Sequence, residues 1–328
     1  MKRTRGSFLF KKLKVLKKSK KKKVQFIKEL GYGKIPTSVL EKEQIQNDVV
    51  LNRMDRTYAS NHALKRNAKY FIGKIKETHP DTPHKYSEML VRRNFSQKAK
   101  NCRLKDSCLS IFPQKIGRLL VRFYSKKGDT VVDFFAGHNS RMQLVHECQR
   151  NYVGFDVSST FMEHNKEIRE RLLKREKQGF FDNKSEITLF HQDSSKVDLP
   201  NEYADFSITS PPYYDLEWYG DEEKQLGKAK TYKEFLKKLT PHVQENFRVL
   251  KRGAYSVWCV NDFVRKGKYH CYHSDLIQIA KNAGFTVHAV YILDMKSALG
   301  IAFIDTIMRT MRFPKRHEYI LVFKKESE

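Results

Sequence analysis

From residue 128 onward the chain alternates short apolar runs with longer polar, helix-forming ones, and this alternation restricts the fold more than any other feature. Residues 130–135, Thr-Val-Val-Asp-Phe-Phe, read as a strand opened by Gly128; 138–150 read as a helix. A strand at 152–156, a charged helix at 159–177 and strands at 187–191 and 205–209 follow. Beyond them come a helix at 232–250, a strand at 254–260, a helix at 272–283, and strands at 286–293 and 318–323. Strands interleaved with helices predict an α/β fold with a doubly wound, largely parallel sheet, here of seven strands. Such sheets bind ligands beyond the carboxyl ends of their strands. Asp133, Asp156, Asp193 and Ser210 all fall at those ends.

The strand at 205–209 stops in an unusual way. Its apolar run, Phe206 to Ile208, meets Thr209-Ser210, then Pro211-Pro212, then Tyr213-Tyr214. Prolines cannot donate ladder hydrogen bonds, so the strand must end in a fixed, extended loop. The loop presents the Ser210 hydroxyl, the Pro211 carbonyl and an aromatic ring at a sheet edge, a place to hold a flat polar ring. On these residues alone, an ordinary Pro-rich turn reads equally well.

The turn Asp133-Phe134-Phe135-Ala136-Gly137-His138-Asn139-Ser140 joins a strand to a helix. Small residues there let the backbone approach a ligand, with the helix amino terminus behind it. Asp156 stands 23 residues after Asp133 and ends the next strand, where a carboxylate can accept hydrogen bonds from ribose hydroxyls. A strand-ending Asp also serves as a plain helix cap. The Gly-x-Gly-x-x-Gly of nicotinamide sites is absent, since only Gly137 stands in this turn.

Charge is distributed unevenly. The 328 residues carry a net charge of +27, but residues 1–110 hold 29 Lys/Arg against 9 Asp/Glu. Residues 1–30 alone hold 13 Lys/Arg and one Glu, with a self-repelling run at Lys17-Lys18-Ser19-Lys20-Lys21-Lys22-Lys23. They are expected to form a disordered arm that contacts a polyanion through its phosphates, the alternative being a solubilising tail or a nuclear address. Residues 31–109 form a second, partly helical basic region, with 53–67 helical and 78–84 a loop. Arg92, Arg93, Lys98, Lys100, Arg103 and Lys105 cluster there around Phe95, as part of a reading surface or as a solvated connector. No apolar run of ~18 residues suggests a membrane span. Five cysteines without a Cys-x-x-Cys pair argue for a reducing compartment. His270, Cys271 and His273 lie close enough to suggest metal, though a half-buried helix start accounts for them better. Trp258 is expected in the core.

Taken together, several motifs resemble those of DNA methyltransferases that modify exocyclic amines, the N4-cytosine/N6-adenine family of phage and bacteria. Ser210-Pro211-Pro212-Tyr213 resembles their catalytic motif, and the 133–140 turn is similar to their Asp-Pro-Phe-x-Gly-Ser-Gly cofactor loop. Residues 110–120, with Phe112 and Pro113, resemble the segment covering the methionine end of the cofactor. Leu226-Gly227, Thr231-Tyr232 and Arg248-Val249-Leu250-Lys251-Arg252-Gly253 resemble the helix and strand after the catalytic loop, and 316–323 the closing strand. The sequence departs from the pattern at Phe134, His138, Asn139 and Arg252; Asn139 must then replace a glycine. The resemblance spans residues 110–325. It implies a Rossmann-like methyltransferase domain at 110–328 and S-adenosylmethionine as cofactor, with double-stranded DNA as partner. It further implies that Asp156 holds the ribose, Asp193 the adenine amine, and the 133–140 turn the amino-acid portion.

That chemistry suits the residues. The amine lone pair is delocalised into the ring, and hydrogen bonds to Ser210 and the Pro211 carbonyl would push the nitrogen toward tetrahedral geometry. Tyr213 would stack on a flipped base. No Pro-Cys dipeptide exists, against C5 methylation through a thiolate. Tyr214, Glu217, Trp218 and Tyr219 line the base pocket or merely pack the loop. Ser-Pro-Pro-Tyr leans toward cytosine N4, with adenine N6 the alternative. An RNA substrate, or a binding module without catalysis, keeps the same fold; a protein glutamine substrate goes with Asn before the prolines, where this chain has Ser210. Target reading is expected in the basic amino-terminal third or, second, in 295–316, where Arg309 and Arg312 lie. The resemblance also suggests a cytoplasmic protein of a bacterium or infected cell, and leaves a restriction endonuclease partner and the oligomeric state open.

Overall fold

The computed structural model describes residues 25, 29, 37–41, 112–137, 140–177, 185–216, 222–295 and 304–327. The expectations for the arm at 1–30, for 42–109, and for His138, Asn139, Glu217, Trp218 and Tyr219 therefore fall outside the described residues, apart from Gln25 and Glu29.

The chain runs through β1 (Val39–Glu41), α1 (Gln114–Tyr124), β2 (Thr130–Asp133), α2 (Ser140–Glu147), β3 (Asn151–Asp156), α3 (Ser159–Lys177), β4 (Ile187–His191) and β5 (Ala204–Thr209). There follow α4 (Tyr232–Val249), β6 (Leu250–Val260), a hairpin of β7 (Phe263–Arg265) and β8 (Lys268–His270), α5 (Tyr272–Asn282), β9 (Thr286–Asp294), α6 (Ile304–Thr310) and β10 (His317–Lys324). Eight of these strands form one sheet in the order β1-β9-β10-β6-β5-β2-β3-β4. Only β10 runs antiparallel to its neighbours, β6 and β9.

The seven expected strands are all present, and the count is corrected to eight by β1. Strand β1 comes from the basic 31–109 region and pairs in parallel with the edge strand β9, Leu40 opposite Leu293. Both leucines are buried. A three-residue strand surrounded by polar sequence carries too little periodicity to be seen before its partner is known.

Two apolar layers cover the sheet. One contains Ile116, Leu120, Leu144, Ile208 and Ile320; the other contains Val132, Phe235, Leu239, Trp258 and Tyr272. Trp258 is fully buried, as expected. Its indole N–H donates to Ser256 Oγ (2.8 Å), Ser256 to Asn246 Oδ1 (2.7 Å), and Asn246 Nδ2 to Ser207 Oγ (2.7 Å). Helix α4 is thereby tied to β5 and β6 with each buried polar group partnered, as a dry core requires. Gly117 brings α1 against α2: a Cβ there would stand 2.5 Å from Leu144 Cδ2. That approach carries Phe112 and Pro113 to the carboxyl edge of the sheet.

Candidate active site

The strand order reverses between β2 and β5, and a crevice opens beyond their carboxyl ends. It spans about 950 Å³, counting the space open to solvent at its mouth. The walls include Phe112, Pro113, Phe134, Phe135, Ala136, Gly137, Ser140, Asp156, Ser210, Pro212 and Tyr213. Eleven of the sixteen residues singled out in the sequence thus meet in one cleft. Of the other five, His138 and Asn139 lie outside the described residues, and Asp133, Pro211 and Asp193 stand behind or beside the wall.

Asp133 is fully buried, and both its oxygens are occupied by protein donors. Oδ1 accepts from Thr209 Oγ1 (2.7 Å) and the Phe135 N–H (3.2 Å); Oδ2 accepts from Arg141 Nε (2.6 Å) and Tyr152 Oη (3.0 Å). Arg141 also donates to the Phe135 carbonyl. Burial alone would lower the Arg141 pKa, but the adjoining Asp133 carboxylate outweighs it and the guanidinium stays charged. The network holds the turn after β2 in shape from beneath. In that turn Gly137 has φ +54°, in the left-handed region that glycine enters without steric cost.

Asp156 does face the cleft. Its oxygens accept the Gly137 N–H (2.7 Å) and the Ser158 N–H (2.8 Å). Burial pushes its pKa up to about 6, and these two bonds only partly offset the rise. Each oxygen keeps a lone pair for an incoming hydroxyl. Near the same turn, Asn165 Nδ2 donates to the Gly137 carbonyl (2.8 Å) while its buried Oδ1 has no partner. Buried Gln114 donates to the Phe112 and Ser140 carbonyls, both 3.1 Å, and its Oε1 is likewise unpartnered. The site thus offers acceptors for ribose hydroxyls, aromatic walls at Phe135 and Phe161, and a bent turn beside Phe112. A nucleoside-bearing cofactor matches this set of groups.

Beyond β4, Gln192 and Ser194 form the wall and Asp193 sits beside it. Asp193 Oδ1 accepts the Ser195 N–H (2.9 Å) and lies 3.6 Å from His242 Nε2. His242 and its cleft neighbours Gln225, Leu226, Cys259 and Glu318 were not singled out as site residues from the sequence. His242 lies on the buried face of α4, three residues after Leu239 and one before Val243, and a polar residue on such a face was the available signal. Ser194 Oγ donates to the Phe134 carbonyl (2.6 Å), so it accepts from His242 Nδ1 (2.9 Å). Burial pushes the His242 pKa down to about 4 against the pull of Asp193, leaving a neutral ring. It packs on Phe135 with centroids 5.0 Å apart.

After β5, the Ser210 hydroxyl donates to the Cys259 carbonyl (3.2 Å). Tyr213 packs edge-on against buried Tyr272 (6.4 Å, 82°). Tyr214 turns away at φ +54° into a cluster with Tyr232, Phe235 and Phe263, and its hydroxyl donates to the Lys230 carbonyl (3.1 Å). Of the two readings for Tyr214, loop packing is the one observed. Glu222 accepts from the Ser159 N–H (2.9 Å) and Oγ (3.1 Å), pinning the chain after the loop to the start of α3. His273 Nδ1 faces Asp262 (2.8 Å), and Cys271 precedes α5 as its exposed cap residue, the helix start that the sequence suggested.

A mostly parallel sheet with this order, a crevice at its switch point and an acidic strand end facing a Ser-Pro-Pro-Tyr lip fit an α/β enzyme that binds a nucleoside-bearing cofactor. The chain belongs to the DNA methylase family, whose profile matches residues 9–167 and 204–328; S-adenosylmethionine is its cofactor and DNA its substrate. No curated protein matches the chain. Among solved structures, a SAM-dependent methyltransferase from Methanosarcina mazei is 13% identical, with 67% of this chain and 100% of that chain covered and a TM-score of 0.44. TrmN from Thermus thermophilus is 12% identical, with 72% and 53% covered and a TM-score of 0.43. Among the described residues no helix is long and apolar enough to cross a membrane.

Proposed function

We propose that the chain transfers a methyl group to the exocyclic amine of a base flipped out of double-stranded DNA, at a specific sequence, with cytosine N4 the favoured acceptor. The observation that carries this reading is the Ser210–Cys259 contact. A backbone carbonyl can only accept, so the Ser210 proton is committed to Cys259 and its oxygen lone pairs remain for an amine hydrogen. With the Pro211 carbonyl as a second acceptor, the amine would lose conjugation with its ring and become nucleophilic. Tyr213, braced by Tyr272, would hold the base face.

When bound, S-adenosylmethionine supplies an electrophilic methyl. Asp156 would take the ribose hydroxyls, Asp193 with neutral His242 the adenine side, and Phe112, Pro113 and the 134–137 turn the amino-acid end. Alignment and exclusion of water by Phe135, Leu226 and Tyr213 then account for the chain's contribution to rate.

DNA from cells expressing the chain, digested to nucleosides and weighed, should contain N4-methylcytosine. Finding only N6-methyladenine would move the acceptor to adenine, and finding neither would overturn the assignment. Sequencing the methylated positions reports the recognition site from the same sample.

A further inference from the structure

Three large apolar side chains stand in solvent within six residues of one another: Met308 at 69% exposure, Met311 at 83% and Phe313 at 91%. Large apolar side chains exposed this fully and this close in sequence mark a contact surface. The segment that carries them is tied down by its neighbouring side chains. Arg312 donates to the Gly267 carbonyl at the tip of the β7–β8 hairpin (2.8 Å). Lys315 donates to Asn261 Oδ1 and to the Asp262 carbonyl, and Arg316 pairs with Asp294 (2.8 Å). Phe313 is therefore held out from a fixed base.

The surroundings are basic. Arg309 and Arg312 from the 307–313 segment, and Lys266 and Lys268 from the hairpin, are all exposed. The hairpin in turn leans on the loop after β5: Arg265 pairs with Asp215 (2.8 Å), two residues beyond Tyr213, and Phe263 stacks on Tyr214 (6.3 Å). Exposed aromatic and methionine tips amid cations, braced against the base-holding loop at the carboxyl edge of the sheet, suit one polyanion with an apolar stacked interior.

We propose that this face docks double-stranded DNA, with Phe313 and Met311 entering the base stack where the target nucleotide leaves. The inference rests on the DNA methylation reading above. A base extruded into the cleft leaves a gap of one ring thickness in the duplex. Apolar side chains wedged between base steps offset part of the unstacking energy. Arg309, Arg312, Lys266 and Lys268 would hold the flanking phosphates and register the wedge.

The decisive experiment places p-benzoylphenylalanine at position 313 of the full chain and irradiates it with a fluorescent duplex. A covalent DNA adduct is expected from position 313 and none from position 203, an exposed tyrosine at the opposite end of β5. Absence of the DNA adduct, or an adduct to a second copy of the chain instead, would overturn the proposal. Phe313→Ala should lower methyl transfer to duplex DNA about tenfold, with Phe313→Trp restoring it and cofactor affinity unchanged in both. Equal activity of the alanine variant would also overturn it. Failure of the wild type to methylate DNA would instead count against the function proposed above, because the cross-link is read without methyl transfer.

Discussion

Thr209 Oγ1 donates a 2.7 Å hydrogen bond to Asp133 Oδ1, joining the two strands whose ends carry the two halves of the site. Thr209 immediately precedes Ser210, and Asp133 supports the turn that includes Gly137. The bond crosses the switch point, so the positions of the Ser-Pro-Pro-Tyr lip and the glycine turn are set by one buried contact. Because Asp133 also neutralises Arg141, its loss should be costly. Asp133→Asn leaves a buried guanidinium without its counter-charge and should lower unfolding free energy in urea by about 3–5 kcal/mol. Thr209→Val removes a hydroxyl that donates to the buried Asp133 carboxylate and accepts from the Phe135 N–H, and should cost about 1.5–3 kcal/mol.

With Asp156 in its proposed role at the ribose, cofactor affinity should depend on pH. Its pKa in the folded protein is about 6, raised by burial. Ribose hydroxyls donate best to the ionised carboxylate, so binding must expel the proton whenever the pH is below that value. Affinity measured by calorimetry should be level above pH 6 and fall about tenfold per unit below it. Asp156→Asn should flatten the profile. The effect on the free protein has the opposite sign. A carboxyl whose folded pKa lies above its unfolded one contributes most stability below the unfolded pKa, and that contribution is lost as pH rises through about 6. The cofactor-induced rise in Tm should therefore grow between about pH 5 and about pH 7, a window that brackets the Asp156 titration.

Under the proposed function, Ser210→Ala removes the amine acceptor and Tyr213→Ala the stacking ring, while the residues assigned to the ribose and to the turn stay unchanged. Each should reduce incorporation of labelled methyl into DNA by at least about 100-fold, while the Kd for S-adenosylmethionine stays within about twofold. Full activity in both would remove Ser210 and Tyr213 from the base pocket.

Gly137→Ala tests the turn. At φ +54° a Cβ costs about 1–2 kcal/mol, and the strain falls on the residue whose N–H holds Asp156. Cofactor affinity should drop about tenfold. Gly128, at φ +85° with open space around its missing Cβ and far from the cleft, provides the control. Gly128→Ala should lose comparable stability and no affinity.

How much of this was legible beforehand differs by residue. Seven strands, four of the helices, and the placement of Asp156, Ser210 and Gly137 at strand ends follow from hydrophobic period and from proline and glycine chemistry, both local properties of the chain. So does the Ser-Pro-Pro-Tyr loop, because two prolines force a strand to stop wherever they occur. Tertiary structure alone decided what each polar group faces. Asp133 and Asp156 end neighbouring strands in the same way, yet one is consumed by Thr209, Tyr152 and Arg141 while the other meets the cleft. The meeting of His242 with Ser194 and Asp193, the pairing of Leu40 with Leu293 across most of the chain, and the contact of Arg312 with Gly267 were likewise undetectable from local pattern. Local sequence dictates where a strand ends because backbone torsions and side-chain period act over a few residues. Whether a carboxylate there is spent or free depends on donors from other elements, here Thr209 on β5, Tyr152 on β3 and Arg141 on α2, and only the packed fold brings them together.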